Sequence, residues 1–351
     1  MKLKPSLGIN LLPYTPGGQG GAEVYIRNLV SALSEYEDIR IVLFVTLESE
    51  GAYLSSKAKN VTECVIPIYS HNRLVRIITE QFILPFYVAK ARVDWLLSNY
   101  VVPIAAPVKH IVVVHDMLCW IHPECIEPLK RLYWRLMIPL SMRRSQCVMT
   151  VSHASAKDIL RLFPWVSNKL RVTVEGVNRD LLEPLNEDDE SVLHRLGVRK
   201  PFILSAATFG PHKNIPRLLE AFKRLRAMGA DVTLVLTGRK ERGGHKLDDT
   251  LKRLDIADYV HFTGYIAAPE LAALYRQAEL YVMPSIFEGF GLSVIEAQYF
   301  GCPVVCSNRA SLPEVAGDGA IFFDPYDVND MAVKIFRVLQ TPGLRAKLVN
   351  A

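Results

Sequence analysis

The sequence has no CxxC pair, no apolar run of membrane-spanning length, no G-x-G-x-x-G and no Asp-x-Asp at the end of a strand-like segment. Each absence removes a class of protein. The six cysteines, at 64, 119, 125, 147, 302 and 306, lack metal-ligand spacing, so buried thiols in a reducing compartment are expected. Without a spanning run, and without a signal-peptide core after Lys2 and Lys4, the expectation is a cytoplasmic protein or one held peripherally at a membrane face. Without the glycine fingerprint and its acidic ribose partner, a dinucleotide site is a weak reading. The acidic run Glu187 to Glu190 falls in a polar stretch and Asp327 follows the last strand, so no resident metal or other cofactor is expected.

What is present is a 351-residue chain, half of it hydrophobic, which is enough to bury two cores. The net charge of +5 is unevenly placed: residues 1–180 carry +6 and the remainder −1. A basic front half suits a phosphorylated or membrane-surface partner and gives no reason to expect nucleic acid. The polar, acidic segment around Pro184 marks a boundary, with domains expected at 1–182 and 201–351 and a linker at 183–200.

Both halves read as strands alternating with helices. Leu7 to Leu12 is a strand, followed by the glycine-rich loop 16–21 with Gly18, Gly20 and Gly21, then helical spacing from Ala22 to Leu33. The loop is either a ligand-facing turn or a plain tight one. Residues 72–91 read as a helix that Pro85 breaks or kinks. Ile111 to Asp116 is a near-continuous apolar strand ending in the polar pair His115 and Asp116, where ligands of parallel sheets gather. Pro128 to Arg144 (PLKRLYWRLMIPLSMRR) is basic and aromatic. It is either a surface for anionic headgroups or a helix covering the sheet with Leu132, Leu136 and Leu140.

In the second half, Phe202 to Ala207 is a strand, and Gly210, Pro211, His212, Lys213 and Asn214 lead into a helix from Ile215. A lysine at that place suits a diphosphate as a point charge. Tyr265, after the strand 259–262, is either a base-stacking ring or a core tyrosine. The most informative stretch is Pro284 to Ala297 (PSIFEGFGLSVIEA), which follows the buried strand-like run 278–283. Gly289 and Gly291 let the loop turn, and the helix from Leu292 presents free N–H groups suited to phosphate. Glu288 and Glu296 can accept hydrogen bonds from hydroxyls, or can be two solvated glutamates on a buried turn.

Glu288 and Glu296 with Gly-Phe-Gly between them resemble the E-x7-E motif of retaining GT-B glycosyltransferases of family 4. Leu274 to Glu279 (LYRQAE), Gly301 to Val305 (GCPVV) and Ser311 to Asp318 (SLPEVAGD) extend the likeness. The resemblance implies an α/β GT-B fold of two Rossmann-like domains facing a cleft, with transfer of a hexose from a nucleotide-sugar to an acceptor hydroxyl. By carry-over, Glu288 holds the donor sugar and Glu296 the ribose. Lys213 and the amides of Gly289, Phe290 and Gly291 meet the diphosphate, with Gly210, His212, Tyr265 and Leu292 completing the donor site. His212 stands where the family usually has arginine. His115 contacts the sugar near the reacting carbon, and Gly18, Gly20, Gly21 and Asp116 lie on the acceptor side.

The His-Lys-Asn loop, Glu80-Gln81 and His115-Asp116 look most like bacterial surface-polysaccharide mannosyltransferases. GDP-mannose is therefore the expected donor, with UDP-glucose or another UDP-sugar as the alternative. The expected acceptor is a lipid-linked glycan at the cytoplasmic face of the inner membrane. A nucleotide-sugar epimerase of the same fold and a silent nucleotide-binding scaffold are the competing readings. Relatives carry a final helix crossing back to the first domain, and its absence is expected here.

Overall fold

The computed structural model describes residues 4–16, 20–54, 59–207, 209–239 and 244–351, with the backbone alone for 244–248. The chain forms two compact units, Met1–Glu175 and Gly176–Ala351. Each is built on one all-parallel sheet.

In the first unit the strands are β1 (Ser6–Asn10), β2 (Arg40–Thr46), β3 (Val61–Ile66), β4 (Trp95–Asn99), β5 (Lys109–Val113), β6 (Cys147–Thr150) and β7 (Leu170–Val172). Their order is β3-β2-β1-β4-β5-β6-β7. The chain leaves β1 toward one edge, returns beside it as β4 and runs to the other edge. The turnaround opens a crevice at the carboxyl ends of β1 and β4, the place where open α/β sheets bind ligands. The strands are apolar along their length because helices cover both faces, burying Phe44, Leu84, Val88 and Leu96 in one cluster and Val112, Ile138, Met142 and Ile159 in another.

The second unit repeats the plan with β8 (Phe202–Ala206), β9 (Thr233–Thr237), β10 (Val260–Gly264), β11 (Leu280–Met283), β12 (Val304–Ser307) and β13 (Ala320–Phe323). Their order is β10-β9-β8-β11-β12-β13, so the reversal falls between β8 and β11. One face buries Leu218, Phe222, Leu234 and Ile335, and the other Tyr275, Tyr281, Val294 and Val304.

Three segments differ from the sequence expectation. Residues 73–91 do not break at Pro85: helix Arg73–Ile78 passes through a π-helical turn, Thr79–Ile83, into helix Leu84–Ala91. The widened turn lies directly before Pro85, where the ring would otherwise clash with the carbonyl four residues back. The span 183–200, expected as a linker, holds helix Asp189–Arg195, which buries Val192 and Leu193 in the second unit. Its acidic run serves that packing. Asp188 caps the helix through the Ser191 N–H, Asp189 pairs with Arg276, Glu187 with Arg195 and Glu190 with Lys200. Helix Pro128–Arg144 is continuous through Pro139, but Leu132, Leu136 and Leu140 do not cover the sheet. Ile138, Ser141 and Met142 do, and Leu132 and Leu136 are each 59% exposed.

After helix Val328–Gln340 a further helix, Pro342–Val349, buries Leu348 in the second unit. All six cysteines are free. Burial pushes the Cys306 thiol up to about 12 and raises Cys302 as well, so both behave as packing groups.

Candidate functional site

Two groups of predicted residues gather at the carboxyl ends of the strands, one in each unit. In the second unit the loop after β8 and the loop after β11 flank the reversal of strand order. The Nζ of Lys213 donates to Oε1 of Glu288 at 2.6 Å, with both side chains mostly buried. Burial alone would raise the Glu288 carboxyl. The Lys213 ammonium, aided by His212, overrides it and holds the acid below its ordinary range. A lysine and a carboxylate, 75 residues apart in sequence, thus meet at the crevice that the topology creates.

Backbone and amide contacts fix this meeting. The Ile286 N–H donates to the His212 carbonyl at 2.9 Å. The Asn214 side-chain amide donates to the carbonyls of Pro284 and Pro325 at 3.0 and 2.8 Å. Asn214 also takes a left-handed φ of 59°, which asparagine tolerates better than most residues, as the chain turns from Pro211–Lys213 into helix Ile215–Ala227. The Ser311 hydroxyl lies 3.0 Å from the Glu288 carbonyl and 2.6 Å from that of Phe290, donating to this short stretch. Gly291 has φ 112°, and a Cβ there would meet Leu312 Cδ2 at 2.7 Å, so glycine is required on two counts. The turn delivers Leu292 to the first position of helix Leu292–Tyr299.

Of the remaining residues that the sequence resemblance assigned to a donor site, Gly210 caps the short turn that carries His212 and Lys213. Phe290 is buried. Tyr265 is not a core tyrosine: it is 61% exposed, with the Arg239 guanidinium 4.7 Å over its ring. Glu296 lies deeper than the sequence suggested, 7% exposed, and the buried Tyr275 hydroxyl donates to its Oε2 at 3.1 Å. Desolvation, reinforced by the nearby Glu296, holds the Tyr275 phenol well above its ordinary value, so it stays a donor.

In the first unit His115 follows β5 and is 7% exposed. Its Nδ1 lies 3.5 Å from Glu175 Oε1, and its Nε2 is buried with no hydrogen-bond partner among the described residues. Tyr25 meets the imidazole edge-on at 5.0 Å, and Tyr100 flanks it at 5.6 Å. Tyr100 has φ 59°, uncommon for a bulky residue, donates to Asp116 Oδ2 at 3.2 Å and stacks on Trp134 at 5.1 Å. Asp116 also accepts from the Leu118 N–H at 2.8 Å, so it orients the loop. Gly20, with φ 59°, precedes helix Gly21–Leu33. Gly18 lies outside the described residues.

Sequence reasoning missed Asn214, Ser311, Tyr275, Glu175, Tyr25 and Tyr100. Asn214, Ser311 and Tyr275 stood inside quoted runs, the His-Lys-Asn loop, SLPEVAGD and LYRQAE, without a role. Glu175, Tyr25 and Tyr100 are polar or aromatic residues whose common partner, His115, comes from another segment.

Two parallel sheets, each reversing its strand order beside a polar cluster, are the two Rossmann-like domains of the GT-B fold. Family profiles agree. Glycosyltransferase Family 4 matches residues 19–181, and Glycosyl transferases group 1 matches residues 187–351. The chain belongs to this glycosyltransferase family. It is 30% identical over 233 residues to the O-antigen chain mannosyltransferase B of Escherichia coli, covering 66% of this chain and 61% of that one. It is 37% identical over 199 residues to the MMP alpha-(1->4)-mannosyltransferase of Mycolicibacterium hassiacum, covering 56% and 46% respectively. The chain thus matches less than two thirds of either relative's length. The sucrose-phosphate synthase of Thermosynechococcus elongatus shares the fold, with a TM-score of 0.78 at 19% identity over 98% of this chain and 92% of that one.

Proposed function

We propose that the chain is a retaining hexosyltransferase that moves mannose from GDP-mannose to a hydroxyl of a lipid-linked glycan in surface-polysaccharide synthesis. The Lys213–Glu288 contact carries the reading, because it puts a cation and a hydroxyl acceptor together at the β8/β11 crevice. One of the three Nζ donors is used by Glu288, and the others suit the oxygens of a diphosphate. The choice of mannose is supported by the names of the two curated relatives, and of GDP by the sequence resemblance alone.

In this reading the acceptor oxygen attacks the anomeric carbon from the face that the β-phosphate oxygen is leaving, so configuration is kept, and the hydroxyl proton passes to that departing phosphate oxygen as its bond to carbon breaks. The diphosphate leaves with negative charge that Lys213 and the amides of the Gly289–Gly291 loop stabilise. Glu288 holds the sugar hydroxyls, Glu296 the ribose, and Tyr265 the face of the base. His115, with Nδ1 held toward Glu175, offers Nε2 to the sugar or the incoming acceptor.

The test is a thermal-shift series with GDP, UDP, ADP, GDP-mannose and UDP-glucose, followed by turnover of the stabilising nucleotide-sugar with and without acceptor. A ligand at a hundredfold over its dissociation constant adds about 2.7 kcal/mol. For domains of this size that is roughly 5–10 °C. We expect GDP and GDP-mannose to give this shift and Glu296→Ala to reduce it. A shift with UDP alone would replace the donor, and turnover without acceptor would replace the transferase by an epimerase. A shift without turnover in the presence of acceptor would leave the silent nucleotide-binding scaffold, and no shift with any nucleotide would overturn the nucleotide-sugar reading.

A further inference from the structure

Two segments of the first unit expose large apolar side chains in rows. Along residues 73–91, Leu74, Ile78, Phe82 and Phe86 recur every fourth position, and Phe82 and Phe86 are 67% and 75% exposed. In a uniform α-helix, four-residue steps drift round the axis. The wider turn at Thr79–Ile83 counters the drift, so the four side chains form one stripe. Along helix Pro128–Arg144 a second stripe is made by Leu129, Leu132, Leu136 and Leu140, spaced at i, i+3, i+7 and i+11. Leu129 reaches 83% exposure while the opposite side of the same helix packs Ile138 and Met142 into the core.

The two stripes are neighbours. Gln81 holds the loop between β4 and β5 from one side, through the Val102 carbonyl and the Ile104 N–H, each at 3.2 Å. Ser141 accepts from the Val102 N–H at 3.0 Å from the other side, and Arg144 donates to the carbonyls of Ile104 and Ala106. Ile104 itself is exposed between them. Contiguous exposed apolar surface of this kind marks a partner.

Charge selects which partner. Helix Pro128–Arg144 carries Lys130, Arg131, Arg135, Arg143 and Arg144 and no acid. Residues 73–92 add Arg73, Arg76, Lys90 and Arg92, and their single acid, Glu80, is buried. A second copy of this chain would set the same cations against each other across a two-fold axis, which disfavours pairing. An anionic bilayer offers both an apolar interior for the leucine and phenylalanine stripes and a charge opposite to that of these two basic segments.

We propose that these two helices form one membrane-docking face that seats the first unit on an anionic lipid surface. The helix 128–144 that bears one stripe also supplies Trp134, stacked on Tyr100 beside His115, so the docked face stands next to the acceptor-side cluster. This rests on the reading of the acceptor as lipid-linked. The docking itself can be measured without donor or acceptor.

The experiment is sedimentation of the full chain with vesicles of phosphatidylglycerol and phosphatidylcholine, against phosphatidylcholine alone, at low and high salt. The comparison variants are Phe82→Ser with Phe86→Ser, and Leu132→Glu with Leu136→Glu. These side chains lie on the surface away from the donor site, and an unchanged nucleotide thermal shift in each variant verifies that the fold is retained. We expect binding to the anionic vesicles, at least tenfold weaker to the neutral ones, and at least tenfold weaker for either variant. A wild-type chain left in the supernatant overturns docking, as does equal sedimentation of wild type and variants. So does a dimer, split by the same substitutions, that ignores vesicles. A nucleotide shift alongside any of these keeps the transferase reading while docking falls.

Discussion

Glu80 is a carboxyl with a measurable signature. It lies buried in the widened turn, accepts from the Asn10 side chain at 3.1 Å and has Arg76 at 3.9 Å. Desolvation, only partly opposed by Arg76 and Asn10, pushes it from 4.5 up to about 6. Between those values the folded state holds more protons than the unfolded one, so stability falls as pH rises through that window, by about 2 kcal/mol in all. Glu80→Gln keeps an acceptor for Asn10 and removes the charge. It should raise stability at pH 8 by about 2 kcal/mol and flatten the slope between pH 4.5 and 6, as read by urea unfolding. An unchanged slope would show that Glu80 is not the titrating group. Glu288 has the opposite sign, because Lys213 holds its acid low and its stabilisation is present at neutral pH and lost on acidification. Lys213→Ala should cost about 3 kcal/mol at pH 7 and less toward pH 4, with Glu288→Gln recovering most of the loss in the double variant. The sequence showed Lys213 and Glu288 separately, through loop position and motif. Their contact was not legible, since it depends on strand order, and the partner roles of Asn214 and Tyr275 were hidden for the same reason.

At the scale of elements, the turn Glu288–Gly291 is held from outside by Ser311 and closed by a glycine with no room for a methyl group. Gly291→Ala forces a side chain into a left-handed φ and against Leu312. It should destabilise the second unit by about 2–3 kcal/mol, measured by thermal unfolding, while Ser311→Ala costs about 1 kcal/mol. A neutral Gly291→Ala would mean that the loop relaxes freely. Strands and helices here were legible because parallel strands are apolar runs bounded by turns. Faces were harder. Helix Pro128–Arg144 is apolar on two sides, so periodicity could not tell Ile138 and Met142, which are buried, from Leu132 and Leu136, which are not. Composition also misled at 183–200, where acids that look like a solvated linker cap a helix and pair with Arg195, Arg276 and Lys200. Charge density reports solvation only when the charges lack local partners.

At the scale of the whole molecule, each unit has its own sheet, its own buried clusters on the two faces of that sheet and its own polar cluster at a reversal of strand order. Because each of Met1–Glu175 and Gly176–Ala351 buries its own apolar clusters, the chain has two separable sources of stability. Differential scanning calorimetry should therefore resolve two transitions with different responses. GDP-mannose should raise the one that belongs to the unit carrying Lys213 and Glu288, and Gly291→Ala should lower that same one. Glu80→Gln at pH 8 should raise the other and leave the nucleotide response intact. If both substitutions moved one common transition, the units would be unfolding as a single cooperative body. If two transitions are resolved and GDP-mannose raises the one that Glu80→Gln raises, the nucleotide's seat is at His115 and its surroundings, in place of the β8/β11 crevice.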